Sequence, residues 1–173
     1  MPNDFTDPIT LFITWTTYGS WLPGDSRGWK KWKSGERQPQ PALESWCKDR
    51  MKGNAIVLCP SQREAVESVI REHAEHRNWE LHAISVRSNH VHVAVTVKPK
   101  IVSKELRVAD GIKRVRDQFK ANATRALRQC EQPITDEKIW TKGGDIQIVD
   151  SEEDLSQIVL YISEAQDRMD REK

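Results

Sequence analysis

Residues 80–97, Glu80-Leu81-His82-Ala83-Ile84-Ser85-Val86-Arg87-Ser88-Asn89-His90-Val91-His92-Val93-Ala94-Val95-Thr96-Val97, decide how this chain folds. Two runs, Glu80 to Val86 and Val91 to Val97, flank Arg87-Ser88-Asn89, a connection short enough for an antiparallel hairpin. His90 stands at the start of the second strand and His92 two residues further on. Side chains at i and i+2 of a strand share a face, so the two imidazoles lie side by side. Two polar rings in an otherwise apolar strand need partners. A shared divalent ion would satisfy their nitrogens; the plainer reading is a pair at the sheet surface, hydrogen-bonded to water or neighbours.

On the N-terminal side, Ile9 to Thr17 is rich in β-branched and aromatic residues and reads as a first strand, central or nearly so. Tyr18 to Pro60 is a long irregular stretch with turn signals at Gly19 and Pro23-Gly24-Asp25 and a short helix near Ala42 to Met51. Its length marks it as a functional loop or cover, while its tryptophans equally suit a satellite core. Ser61-Gln62-Arg63-Glu64 has the form of a capping box, and Val66, Val69, Ile70 and His73 follow at helical spacing to about Asn78. After Pro99 a helix from about Ser103, weakened at Gly111, carries Ile112, Val115, Phe119 and Ala126 as its apolar stripe. Ile139-Trp140, a Gly143-Gly144 kink and Ile146 to Val149 suggest a last strand. A final helix runs from Asp150 or Ser151 to about Met169. This order predicts an α+β chain: a ferredoxin-like antiparallel sheet (βαββαβ) with an added C-terminal helix and a long loop after the first strand. Such a sheet has one helix-covered face and one face open to a site, yet it hosts many functions.

At 173 residues the chain is expected to form one domain, residues 1–173. Three scattered cysteines (Cys47, Cys59, Cys130) make neither a disulfide framework nor a zinc knuckle and suit a reducing cytoplasm. No run approaches the roughly 18 apolar residues of a membrane span, and no leader pattern opens the sequence. The expectation is a soluble cytoplasmic protein with no membrane partner.

The net charge of +1 conceals a strong asymmetry. Lys98 to Arg128 holds ten basic residues against three acids, and Glu131 to Lys173 holds twelve acids against five bases. Arg27 to Arg37 adds five bases against Glu36, with Trp29 and Trp32 between them. Basic residues interleaved with aromatics suit a phosphate backbone and stacked, unpaired bases. The residues selected on this ground are Lys113, Arg114, Arg116 and Lys120 on the second helix, and Arg27, Trp29, Lys30 and Lys31 in the long loop. Solvated helix faces are the alternative.

Asn89-His90-Val91-His92 on a strand, with Tyr161 in the terminal helix segment Leu160-Tyr161-Ile162-Ser163-Glu164-Ala165-Gln166, resembles the HUH nucleases. The resemblance is closest to the single-tyrosine HUH transposases, including the REP-associated tyrosine transposases. The stretch Thr14-Trp15-Thr16-Thr17-Tyr18-Gly19-Ser20-Trp21-Leu22-Pro23-Gly24-Asp25 is similar to an opening found in a subset of them. The resemblance spans most of the chain. It implies a prokaryotic, nucleoid-associated enzyme that cleaves single-stranded DNA at hairpin-containing ends and rejoins strands through a 5′-phosphotyrosine. It also implies a divalent cofactor, Mg²⁺ or Mn²⁺, held by His90, His92 and a residue of the tyrosine helix. Relatives exchange that helix between subunits, so a homodimer is admitted.

The chemistry asks for these residue types. A phosphodiester repels nucleophiles, and an ion on His90 and His92 would polarise a non-bridging oxygen and stabilise the transition-state charge. Tyr161 would be the nucleophile; a phenol of pKa about 10 has to lose its proton as it attacks. The third ligand departs from the pattern. The family commonly places it four residues after the tyrosine, where this chain has Ala165. Gln166, at i+5 and roughly 140° around an ideal helix from Tyr161, leads as third metal ligand, with Glu164 and Gln157 as competitors on the Tyr161 side. Two further readings stay open: a hairpin-binding module derived from such a transposase that does not cut, and a metallohydrolase that activates water without a covalent step. His73, His76 and His82 read as surface or packing residues.

Overall fold

The computed structural model describes residues 7–20, 22–26, 29–31, 35–98 and 108–171, with the backbone alone at 29–31, 35, 108–109 and 164–171. Strand β1 (Ile9–Thr16) is followed by a two-stranded hairpin, β2 (Trp29–Lys31) and β3 (Gly35–Arg37), and by helix α1 (Pro41–Asp49). Helix α2 (Pro60–His76), strands β4 (Glu80–Val86) and β5 (His90–Val97), helix α3 (Val108–Gln129), strand β6 (Asp145–Val149) and helix α4 (Glu152–Arg171) complete the order. The architecture is α+β, with a four-stranded antiparallel sheet in the order β4-β5-β1-β6. β1 is central, as its composition predicts. The expected helix start near Ser103 lies outside the described residues, and the little β2–β3 hairpin has no counterpart in the sequence reading.

Alternation along β1 and β5 sorts the sheet into two unlike faces. Leu11, Ile13, Trp15, Val91, Val93, Val95 and Val97 are buried together with Val66 and Ile70 of α2 and Ile112, Val115, Phe119 and Leu127 of α3. This is the core, and α2 and α3 cover it as right-handed crossovers require. His73 belongs to it as a packing residue, edge-on to both Trp79 and Phe119 and hydrogen-bonded to Gln118. The other face carries Thr10, Phe12, Thr14 and Thr16 of β1 opposite Thr96, Ala94, His92 and His90 of β5. α4 crosses this face, packing on β4, β5 and β6.

Local signals set the element ends. The cap of α2 is Cys59 rather than Ser61: its backbone N–H donates to Gln62 Oε1 at 2.9 Å, and Pro60 occupies the first turn. The expected box is displaced by two residues because Pro60, with φ preset for a helix, lets the helix begin earlier. Ser151 Oγ accepts from the backbone N–H of Asp154 at 3.1 Å and so starts α4. Gly144, at φ +143, passes so close to β1 that a Cβ there would lie 2.8 Å from the Thr14 carbonyl oxygen. That kink brings β6 alongside β1. No helix among the described residues is long and apolar enough to cross a membrane.

Candidate active site

His90 and His92 project from β5 onto the α4 side of the sheet, their ring centroids 4.7 Å apart. His92 is only 8% exposed, and the register sets it between Thr14 of β1 and Ser85 of β4. Its Nδ1 lies 2.8 Å from Thr14 Oγ1. His90 Nδ1 lies 2.7 Å from the Asn89 side-chain oxygen. Neither Nε2 has a hydrogen-bond partner among the described residues. Burial, then the charges of His90 and Arg87, push His92 from the ordinary 6.5 down to about 4. Burial and Arg87 lower His90 in the same direction. Both rings are therefore neutral at physiological pH, the form that offers a nitrogen lone pair.

Tyr161 reaches this pair from α4. Its ring stands 5.7 Å from that of His92, edge to face, and 6.4 Å from that of Phe12, which itself stacks on His92 at 5.6 Å. The neighbouring Ile162 is 2% exposed and seats the helix, whereas Tyr161 is 52% exposed. The 3.6-residue period explains the difference: one residue turns the side chain about 100°, from the sheet to the rim. A floor of buried His92 and half-buried Phe12 beneath a half-exposed phenol is a geometry in which the hydroxyl meets a ligand from solvent. Beside it, Phe12, Gln147, Val149, Gln157, Ile158 and Tyr161 line an open cleft of about 400 Å³.

The residues expected to complete a metal site are placed less fully. Gln157 lines the cleft by Tyr161. Gln166 and Glu164 lie within α4, but their side chains fall outside the described set. Among the described residues no group of three or more His, Cys, Asp and Glu could hold a metal ion. The pair nevertheless fits a divalent ion by its donor chemistry. Two neutral imidazoles stand side by side on one face of β5, and each is hydrogen-bonded through Nδ1, as ligating histidines are when their outer partners orient them.

The basic residues of α3 do not gather at this site. α3 lies across the sheet from Tyr161, with Lys113 and Arg114 exposed. Lys120 donates from Nζ to the carbonyls of Thr141 and Gly143, both at 2.8 Å, and burial followed by Arg116 lowers its pKa. Arg116 donates to Asp117 and to the Gly144 carbonyl. These two cations hold the 141–144 turn. Trp29, Lys30 and Lys31 fall in β2, where only the backbone is described, and Arg27 lies outside the described residues. Of the loop tryptophans, Trp46 is exposed with the Arg50 guanidinium 3.7 Å over its ring.

Sequence reasoning missed Phe12, Thr14 and the Asn89 side chain. The signal was present: Thr10, Thr14 and Thr16 are polar at alternate positions of a central strand. With β1 antiparallel to β5, that alternation marks the same face as the histidines.

No curated protein matches the sequence. Among solved structures, one of a REP-associated tyrosine transposase bound to a REP hairpin superposes with TM-score 0.49 at 16% identity, over 88% of this chain and 63% of that one. A transposase candidate from Deinococcus radiodurans R1 gives TM-score 0.43 at 14% identity, over 94% of both chains. This chain thus spans less than two thirds of the first. The family model described as "Transposase IS200 like" matches residues 50–165, more than half of the sequence and a span that takes in the His pair and Tyr161, so the chain belongs to the IS200-like transposase family.

Proposed function

We propose that this chain is a single ferredoxin-like domain acting as a metal-dependent single-stranded DNA endonuclease and strand transferase at hairpin-containing DNA ends. The observation that carries this reading is the 5.7 Å approach of the Tyr161 ring to His92, between elements about 70 residues apart in sequence. A histidine pair alone suits many sites. A half-exposed phenol leaning on that pair suits covalent attack on phosphorus.

Tyr161 Oη would give up its proton as it attacks the scissile phosphorus. The new bond joins Oη to phosphorus, the bond from phosphorus to the 3′ oxygen breaks, and the products are a 5′-phosphotyrosine and a free 3′-OH. Attack by another 3′-OH reverses the step without an external energy source. Phe12 packs against both rings and limits the paths by which Tyr161 can turn. His90 and His92 would hold Mg²⁺ or Mn²⁺, with Gln166 the leading further ligand. When bound, the cation supplies polarisation of a non-bridging phosphate oxygen. The exposed Lys113 and Arg114 would carry DNA phosphates away from the reacting centre.

A non-cleaving hairpin-binding module is the second reading, favoured by the absence of a third His, Cys, Asp or Glu beside the pair among the described residues. A denaturing gel separates the two. With labelled single-stranded hairpin DNA and Mn²⁺, wild type should give a covalent protein–DNA species that is lost in Tyr161→Phe and His90→Ala. Cleavage surviving Tyr161→Phe would point to activated water. Retention of the DNA without cleavage, in either metal, would establish the binding module.

A further inference from the structure

Resting on that reading, we infer that Thr14 is a positioning residue: its hydroxyl accepts a hydrogen bond from His92 Nδ1–H and so holds the ring in the tautomer that leaves the lone pair on Nε2. Asn89 plays the matching part for His90. The argument starts with the two distances, 2.8 Å from Thr14 Oγ1 to His92 Nδ1 and 2.7 Å from Asn89 Oδ1 to His90 Nδ1. A side-chain amide oxygen can only accept, so His90 carries its proton on Nδ1 and its lone pair on Nε2. A threonine hydroxyl donates or accepts, and the neighbour decides which. If Thr14 donated, His92 would carry its proton on Nε2 and would offer no lone pair to a cation shared with His90, whose ring lies 4.7 Å away between centroids. Only the accepting arrangement gives the pair two lone pairs for one cation.

The placement of Thr14 is fixed from below. It pairs with His92 in the β1–β5 ladder and with Asp145 across β6, so its backbone is held on both sides of a central strand. Asn89 is held as firmly: its carbonyl accepts from the backbone N–H of Thr17 at 2.9 Å and from the buried Thr17 hydroxyl at 3.3 Å. Thr17 also receives the Ser20 hydroxyl and backbone N–H on its own carbonyl. The Thr14–Ser20 stretch therefore reaches both histidines, one through a side chain and the other through the Asn89 backbone.

Nitrogen-15 NMR of the metal-free full-length protein at pH 7.5 tests the assignment without activity. Wild type should show His92 protonated at Nδ1. Thr14→Val, which keeps the branched shape and loses the hydroxyl, should shift the ring toward the Nε2–H tautomer. Thr14→Ser should restore the wild-type spectrum. Calorimetric Mn²⁺ affinity should fall on the order of 10-fold or more in Thr14→Val and recover in Thr14→Ser. A wild-type His92 protonated at Nε2, or a Thr14→Val protein with unchanged tautomer, overturns the inference. Wild type with the Nδ1–H tautomer and no Mn²⁺ binding upholds the hydrogen-bond assignment and removes the metal reading instead.

Discussion

The neutral charge state of His92 is a property with a cost. A ring held near pKa 4 in the folded chain takes up its proton near 6.5 once the chain unfolds. Between those values the unfolded state binds more protons, so stability is complete above about pH 6.5 and declines as the pH falls toward 4. The decline from this one residue amounts to about 3 kcal/mol at its limit, and the lowered His90 adds to it in the same direction. Urea midpoints measured from pH 7.5 to 4 should therefore fall less steeply in His92→Gln than in wild type. Equal slopes in the two proteins would mean that His92 is not buried in its neutral form. At this scale the site was half legible. His90 and His92 announce themselves because polar residues interrupt an apolar alternation, whereas Thr14 shows only as one of the threonines along a face of β1, a weaker signal since threonine is common in any strand.

Among the elements, α3 shows how periodicity misleads about charge. Lys113, Arg116 and Lys120 line up in sequence beside the apolar stripe and read as one phosphate-binding row. In the fold the row divides. Lys120 gives two hydrogen bonds to the carbonyls of the 141–144 turn, and Arg116 gives one, because that turn must bring Gly144 against β1 and its carbonyls then need donors. Lys120→Met should destabilise the protein by about 1–3 kcal/mol in urea unfolding and leave the salt dependence of DNA binding unchanged. Lys113→Gln with Arg114→Gln should do the reverse: little change in stability, and a salt slope reduced by about 0.7 per residue on single strands. A wild-type slope in the double variant would move the DNA path off α3. The contrast explains which elements were readable. β4, β5, β6 and α2 follow local patterns of alternation and helical spacing, so their ranges come through within a residue or two. The strands β2 and β3, three residues each, are too short to show a period, and the partners of Lys120 lie about 20 residues downstream of it.

Taken whole, the molecule separates its two candidate surfaces onto opposite sides of one sheet. Both crossover helices lie on the core face, which follows from right-handed connections between parallel strands one place apart, β1 to β4 across β5 and β5 to β6 across β1. α4 leaves the edge strand β6 and returns over the other face. The order of elements puts the two crossover helices on one side, but it is the packing of α4 on β4, β5 and β6 that sets the tyrosine helix on the side opposite the basic one. This arrangement bears on whether Tyr161 serves its own histidines. Within one chain Ile162 is buried to 2% exposure and Tyr161 already touches the His92 and Phe12 rings. Moving α4 onto another subunit would expose Ile162 during the exchange, at a cost of about 1.5–3 kcal/mol, and reach a contact no better than the one left behind. The nucleophile should consequently act in cis. Mixing Tyr161→Phe with His90→Ala protein, each confirmed folded by circular dichroism, should yield no more covalent DNA adduct than either alone. In a trans arrangement half of the mixed sites would pair an intact tyrosine with an intact histidine pair, so recovery of adduct in the mixture would place Tyr161 over a partner subunit's sheet.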